Sequence, residues 1–359
     1  MTKSKKIAIV CNYPLNPNRI GGMDRFYVAY DKRAKEFGYK VDWYFTAYQP
    51  FDFFSGLTIF SSNHQNVEQF FLEQVVKEKK EYDILITHFV ALCLSFFKKA
   101  KESGIQYAIA VDHNPRPLGG VTWTKFLKNK IRGIVYSRYI DQFVGVSGYT
   151  QKYILKDHGS FLAKKTTVIY NGIDSSVFTK RTEENKNKFI VTSHLRYSKG
   201  IQDLLKAVSV LEENIKIQIH IDIYGDGLYE KELVEMTNEF NLNSIIHFKG
   251  SSSRLNKVYA DYSYLIHPSY GETFCYSIIE SLLCNVPAIT THEAGNVLSV
   301  IVENNNGFLF NAGNHKQLAK IINDIVLGKL KINNDVSAQI TSNFNLEKMV
   351  NEHLKLLKV

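Results

Sequence analysis

Two glutamates, Glu272 and Glu280, stand eight positions apart in the segment SYGETFCYSIIESLLCNVP, residues 269–287. Between them runs the apolar stretch Phe274-Cys275-Tyr276-Ser277-Ile278-Ile279. A helix that only packed into a core would have no reason to carry a carboxylate at each end of that run. Such a pair can accept hydrogen bonds from the hydroxyls of a polar ligand, and a helix start between the two acids offers free N–H groups to an anion. The complementary charge lies in HLRYSKG, residues 194–200, where Arg196 supplies a planar fork and Lys199 a point charge, with His194 beside them. A third group is Gly21-Gly22 in PLNPNRIGGMDRF, where small residues before a helix let backbone N–H groups approach a phosphate. Last is His113, which follows the apolar run YAIAVD, with His88 as second choice.

These residues need elements to hold them. Short β-branched runs at residues 6–10, 41–45, 83–89, 107–111, 142–146 and 167–170 alternate with amphipathic stretches, and a second series follows at 189–194, 217–225, 244–250, 264–269 and 287–291. Helical spacing is read at residues 25–37, 67–79, 91–103 and 202–213. Alternation of this kind predicts parallel sheets covered by helices on both faces. About a dozen strands exceed one doubly wound sheet, so an α/β chain of two Rossmann-like domains facing a central cleft is expected. The break is placed in YNGIDSSVFTKRTEENKNK, residues 170–188, after the Asn171-Gly172 turn. The expected domains are residues 1–168, residues 169–344, and a last helical segment 345–359 that packs back across the first domain.

In open parallel sheets ligands sit beyond the carboxyl ends of the strands, which is where most of these residues fall. A helix from Phe274 to Cys284, capped by Thr273 and closed by Asn285 before Pro287, would set the two glutamates roughly 12 Å apart along its axis. That is about the span of a nucleoside diphosphate-sugar from ribose to hexose, with the pyrophosphate between.

Composition sets bounds. The 359 residues are 45% apolar and 22% charged, as in a soluble globular protein. No stretch approaches the length of a spanning helix, and the apolar run from Ile7 to Cys11 is too short for a signal-peptide core. Cys11, Cys93, Cys275 and Cys284 form no Cys-x-x-Cys pair and read as reduced cytoplasmic thiols. The net charge of +9 admits nucleic acid, a membrane surface or a phosphorylated ligand as partner. No aromatic-interleaved basic motif supports nucleic acid. The densest basic cluster, TKFLKNKIRGIVYSRYI at residues 124–140, reads as a solvated helix face in preference to a lipid-surface patch.

Taken in order, IGGMDRF, VIYNGID, HLRYSKG, YGDGLYEKEL, HPSYGETFCYSIIESLLCNVPAITT and NNNGFLF resemble the retaining, nucleotide-sugar-dependent glycosyltransferases of the GT-B fold, in the large bacterial group with the Glu-x7-Glu motif (family 4-like, group 1). The resemblance implies transfer of a hexose from a UDP- or GDP-sugar to a hydroxyl of a glycan or polyprenyl-linked glycan, in cell-surface polysaccharide synthesis. It implies that Glu272 contacts the donor sugar and Glu280 the ribose, and that the base lies near Lys249 and Ser251. It further implies that Arg196 and Lys199 hold the diphosphate with Gly21, Gly22 and the helix start at Thr273, Phe274, Cys275 and Tyr276, and that His113 lies beside sugar and acceptor.

Two departures stand out. Thr273-Phe274-Cys275 replaces the family's Gly-Phe-Gly, and His194 occupies the usual arginine position, so Arg196 or His194 takes that charge. No Asp-x-Asp occurs, so neither a metal nor any other cofactor is expected. The acceptor is expected on the N-terminal domain, where residues 46–66 are rich in aromatics, and a polyprenyl-linked acceptor would set Trp123 and Phe126 against the inner face of the membrane. A non-catalytic partner subunit, or an epimerase or phosphorylase on the same fold, is the competing reading.

Overall fold

The computed structural model describes residues 4–17, 20–182, 186–292 and 300–357. The chain through Asp174, together with the segment from Leu346, forms one compact unit, and Ser175–Asn345 forms a second.

In the first unit seven strands form one sheet: β1 (Lys6–Pro14), β2 (Lys40–Ala47), β3 (Thr58–Ser61), β4 (Ile84–His88), β5 (Tyr107–Asp112), β6 (Gln142–Gly145) and β7 (Thr166–Val168). Their order is β3-β2-β1-β4-β5-β6-β7, and every pairing is parallel. The six-stranded sheet of the second unit holds β8 (Lys188–Thr192), β9 (His220–Tyr224), β10 (Ile246–Gly250), β11 (Tyr264–His267), β12 (Ala288–Thr291) and β13 (Gly307–Phe310). Its order, β10-β9-β8-β11-β12-β13, is again parallel throughout. Both sheets reverse direction of winding at their first strand, which is what places ligand-bearing loops beyond the carboxyl ends of β1/β4 and β8/β11. Central strands are buried along their length, as Ile7–Cys11 and Ile84–His88 show, because helices cover both faces. These are two Rossmann-like domains, the GT-B fold.

Two strands were absent from the sequence reading. β3 lies inside the aromatic segment 46–66, where Phe54 is buried and Phe60 stacks on Tyr44 at 5.0 Å. β13 lies in NNNGFLF and is only four residues long. Three of the four helices read from periodicity are shorter than expected, while the first, Gly22–Glu36, starts earlier. Helix Ser95–Glu102 begins after a loop in which Cys93 has a positive φ of 53°, so residues 91–94 cannot join it. Helix Ile201–Ser209 stops before Glu213. The last helix, Leu346–Lys355, belongs to the first unit, where Leu346 N–H donates to Ile173 O at 3.1 Å. Among the described residues no helix is long and apolar enough to cross a membrane.

Candidate active site

Glu272 lies in the loop between β11 and helix Tyr276–Leu283. Lys199 Nζ donates to its Oε1, and His267 Nε2, at the end of β11, lies 3.1 Å from the same oxygen. Cys275 Sγ is 3.3 Å from His267 Nε2. Burial pushes the Glu272 carboxyl up, but the Lys199 charge and the His267 hydrogen bond outweigh it and hold the pKa down to about 2. For His267 burial works against charge, yet Cys275 and Glu272 raise its pKa to about 9. A carboxylate fixed in its ionised form can only accept hydrogen bonds, which suits it to hold hydroxyls.

The loop that delivers Lys199 is built around a close approach. Gly200 has φ +69°, and a Cβ there would sit 2.0 Å from Pro268 O. Only glycine lets the end of β8 come this near to the end of β11. Further bonds tie the loops together: Tyr270 N–H to Ser198 O at 2.9 Å, Tyr270 OH to Asp203 at 2.8 Å, and Gln202 Nε2 to Tyr270 OH at 2.7 Å. The glycines of YGDG serve the same purpose, since a Cβ on Gly225 or Gly227 would meet Ser193 O at 1.8 Å or Leu195 O at 2.2 Å.

The helix starts later than the sequence suggested. Cys275, not Thr273, is the N-cap residue, and it makes no side-chain cap bond. Glu272 through Phe274 are therefore irregular, and the helical rise does not measure the distance between the two glutamates. The end is as expected: Cys284 closes the helix and Asn285 follows with φ +58°. Ser277 Oγ donates to Thr192 O at 2.8 Å and fixes the first turn to the end of β8. Glu280 is half-buried and accepts from Tyr259 OH at 3.0 Å, while Tyr259 also bonds Thr192 at 2.7 Å.

The other predicted residues divide. Arg196 is exposed, His194 half-buried, and both lie in the loop after β8. Thr273 and Phe274 are half-buried, with Phe274 packed on Tyr276 at 5.1 Å between ring centroids. Ser251 Oγ bonds Asp226 of the YGDG loop. Lys249 points to Asp222, 3.6 Å away, a carboxylate that Tyr262 and His220 also engage.

Gly21, Gly22 and His113 are in the first unit. The Gly21 N–H already donates to Asp24 Oδ2 at 2.7 Å, so an anion there would compete with a carboxylate. A Cβ on Gly21 would make only an ordinary 3.5 Å contact. His113 Nε2 lies 2.9 Å from His88 Nδ1, and Phe89, held at φ +60°, stacks on the His113 ring at 4.3 Å. Burial drives the His113 pKa down to about 3, with the His353 charge acting the same way, so the ring is neutral near pH 7.

Sequence reasoning missed His267, Tyr259, Asp203 and Tyr270. His267 had a signal, since it is the last polar residue of a strand five positions before Glu272. His267, Glu272 and Cys275 are the one group with metal-ligand proximity among the described residues, their ligand atoms lying within 4.8 Å of one another. Lys199 donates to Glu272 Oε1, the oxygen that also faces His267, so a cation bridging that oxygen and His267 would have to displace the ammonium.

Residues 173–342 match the family described as glycosyl transferases group 1, and residues 20–177 match Glycosyltransferase Family 4. The chain belongs to the group 1 glycosyltransferases. Among relatives of this group 1 chain, a Campylobacter jejuni N-acetylgalactosamine-N,N'-diacetylbacillosaminyl-diphospho-undecaprenol 4-alpha-N-acetylgalactosaminyltransferase is 28% identical over 38% of the chain and 38% of its own length. Lipopolysaccharide 1,6-galactosyltransferase of Escherichia coli is 23% identical over 70% of the chain and 68% of its own. The match spans 55% of an uncharacterized Methanocaldococcus jannaschii glycosyltransferase, 38% of the Campylobacter enzyme and 41% of a Bacillus anthracis N-acetyl-alpha-D-glucosaminyl L-malate synthase. In fold, Anabaena HepE, solved with UDP-glucose, aligns with a TM-score of 0.79 and 19% identity over 98% of this chain and 99% of its own.

The two shifted groups predict a pH profile for the second unit. Glu272, held below an unfolded carboxyl, stabilises above about pH 4.3 and loses that contribution as pH falls towards 2. His267, held above its ordinary 6.5, stabilises fully below that value and loses the contribution, roughly 3 kcal/mol, as pH rises through about 9. Melting temperature should thus fall on the alkaline side between pH 6.5 and 9, and His267→Gln should flatten that limb. An unchanged alkaline limb in the variant would remove His267 from the account.

Proposed function

We infer that the protein is a retaining hexosyltransferase that moves a sugar from a UDP- or GDP-sugar to a hydroxyl of a glycan or polyprenyl-linked glycan, in bacterial cell-surface polysaccharide synthesis. The observation that carries this reading is the ionised Glu272, bonded to Lys199 and His267, beside the start of helix Tyr276–Leu283. The printed names of the relatives, which include undecaprenol-linked and lipopolysaccharide transferases, and the UDP-glucose bound by HepE support it.

In this reading the second unit binds the donor and the first unit the acceptor. Glu272 accepts hydrogen bonds from donor-sugar hydroxyls, and Glu280 accepts from the ribose. Lys199 turns its charge to the diphosphate, with the exposed Arg196 as second cation and the N–H groups around Cys275 and Tyr276 as neutral donors. Leaving-group charge is thus met by preorganised protein groups, with no metal or other cofactor in the scheme. The C1–O bond to the diphosphate breaks as the acceptor oxygen forms its bond to C1 on the same face. The departing phosphate oxygen takes the acceptor proton, so no enzymic base is required. Neutral His113 serves as a hydrogen-bonding group near the acceptor, oriented by His88. The location that goes with these substrates is the cytoplasmic side of a membrane.

The test is transfer from a panel of UDP- and GDP-sugars to a lipid-linked glycan acceptor, with the anomeric configuration of the product read by NMR. Transfer from one donor with retained configuration is expected. Hydrolysis alone, inverted product, or no turnover with any donor would overturn the reading.

A further inference from the structure

Helix Trp123–Tyr136 carries one face that no part of its unit covers. Gly133 presses this helix against the end of helix Gly148–His158, where a Cβ would meet His158 O at 1.9 Å, and His158 Nδ1 lies 3.3 Å from Asn129 O. That packing commits Asn129 and Gly133 inward and turns the opposite face to solvent. The outward residues are Trp123, Leu127, Ile131 and Ile134, exposed by 73%, 50%, 54% and 68%. Their spacing of four, four and three makes one continuous apolar stripe.

A solvated helix face, the reading favoured from sequence, would not carry those four side chains. Phe126, expected from sequence to share the contact, is half-buried and stacks on Trp123 at 5.7 Å. Lys128 and Lys130 border the stripe, Lys125 and Arg132 lie farther round the helix, and none of the four forms an ion pair with a described acid. The 28 residues from His113 to Ile140 hold six Lys and Arg and no Asp or Glu. Of the six, Arg116 is committed to Asp112 and Asp157, each at 2.8 Å.

We propose that this face, Trp123, Leu127, Ile131 and Ile134 with the bordering Lys128 and Lys130, is a docking surface for an anionic lipid bilayer. A large aromatic and three aliphatic side chains immerse at the level of the headgroups while the bases meet lipid phosphates. The complementarity is what selects this occupant: a second copy of the chain would set two unpaired basic clusters against each other, whereas an anionic membrane neutralises them. The helix lies along the surface and does not cross it. The inference concerns a surface of the first unit and stands apart from the donor reading.

Co-sedimentation with vesicles tests it, comparing pure phosphatidylcholine with a mixture containing one-third phosphatidylglycerol. Wild type should bind the anionic vesicles, more strongly at low salt, and leave the zwitterionic ones alone. Trp43 is fully buried, so a blue shift of tryptophan emission on binding reports Trp123. Changing Lys128 and Lys130 together to Gln should weaken binding about fivefold per base, about 25-fold in all. Changing the four stripe residues to Ser should abolish both binding and blue shift. Circular dichroism melts that match wild type would show that the variants fold. Failure of wild type to bind anionic vesicles, or undiminished binding by both variants, would overturn the proposal. So would a vesicle-free dimer, seen by sedimentation, that the serine variant dissociates and that vesicles do not compete away.

Discussion

Replacing Lys199 with Met is expected to lower the rate of sugar transfer by about 10²–10³, with weaker binding of the nucleoside diphosphate. Lys199 has two tasks in the account. Its ammonium neutralises Glu272, whose side chain is only 15% exposed, and it is placed to meet the charge that develops on the departing diphosphate. Among the described residues, removing it leaves His267 as the one remaining partner of the carboxylate. Breaking a buried pair from one side costs up to about 3–5 kcal/mol; with Lys199 itself 20% exposed, a loss near the lower end is expected. Thermal melting and steady-state transfer rates check the two parts separately. A Lys199→Met, Glu272→Gln double variant should regain much of the stability while remaining inactive, because the uncompensated charge is gone and the chemistry is not restored. Recovery of activity in the double variant would show that Lys199 serves only the fold.

Gly200→Ala should be strongly damaging to the second unit. Two penalties coincide there: a left-handed φ of +69° and an added Cβ 2.0 Å from the Pro268 carbonyl oxygen. The first alone costs about 1 kcal/mol; the second forces the β8 and β11 loops apart and raises the total to about 3 kcal/mol or more. Gly313 is the internal control, with φ +79° and no atom within 4 Å of the added Cβ, so Gly313→Ala should show only the first penalty. The displaced loop carries Lys199, so Gly200→Ala should also lose transfer activity at temperatures where it remains folded. Equal destabilisation by the two substitutions, measured by denaturant unfolding, would mean that the contact with Pro268 relaxes freely.

Much of the fold was legible because parallel strands buried on both faces leave long apolar runs, as in Ile7–Cys11, and helices between them leave a different period. The strands β3 and β13 were not: TIFS of β3 has no fully buried residue and makes no apolar run, and GFLF of β13 opens on a glycine after three asparagines, a turn signal. In the site, Glu272, Glu280 and Lys199 could be picked out because charged residues next to apolar strand ends are conspicuous. His267 was passed over because a histidine inside YLIHPS reads as part of the strand, and only the fold shows its ring turned to Glu272. The start of the helix was misplaced because Thr273 is a good cap by residue type, whereas the chain turns helical only after Cys275, whose φ and ψ are −90° and 98°. The stripe from Trp123 to Ile134 was visible as a spacing. Its meaning depended on knowing that Gly133, not Ile131, faces the neighbouring helix.

The central claim is that Lys199 and Glu272 mark the binding site of a nucleoside diphosphate-sugar, and calorimetric titration of UDP and GDP into wild type and Lys199→Met tests it most directly. The account predicts saturable binding of one of the two nucleotides by wild type, and affinity lower by about tenfold or more in the variant, as the loss of a charge-assisted contact requires. Equal affinity in the two proteins, or no binding of either nucleotide to wild type, would contradict it.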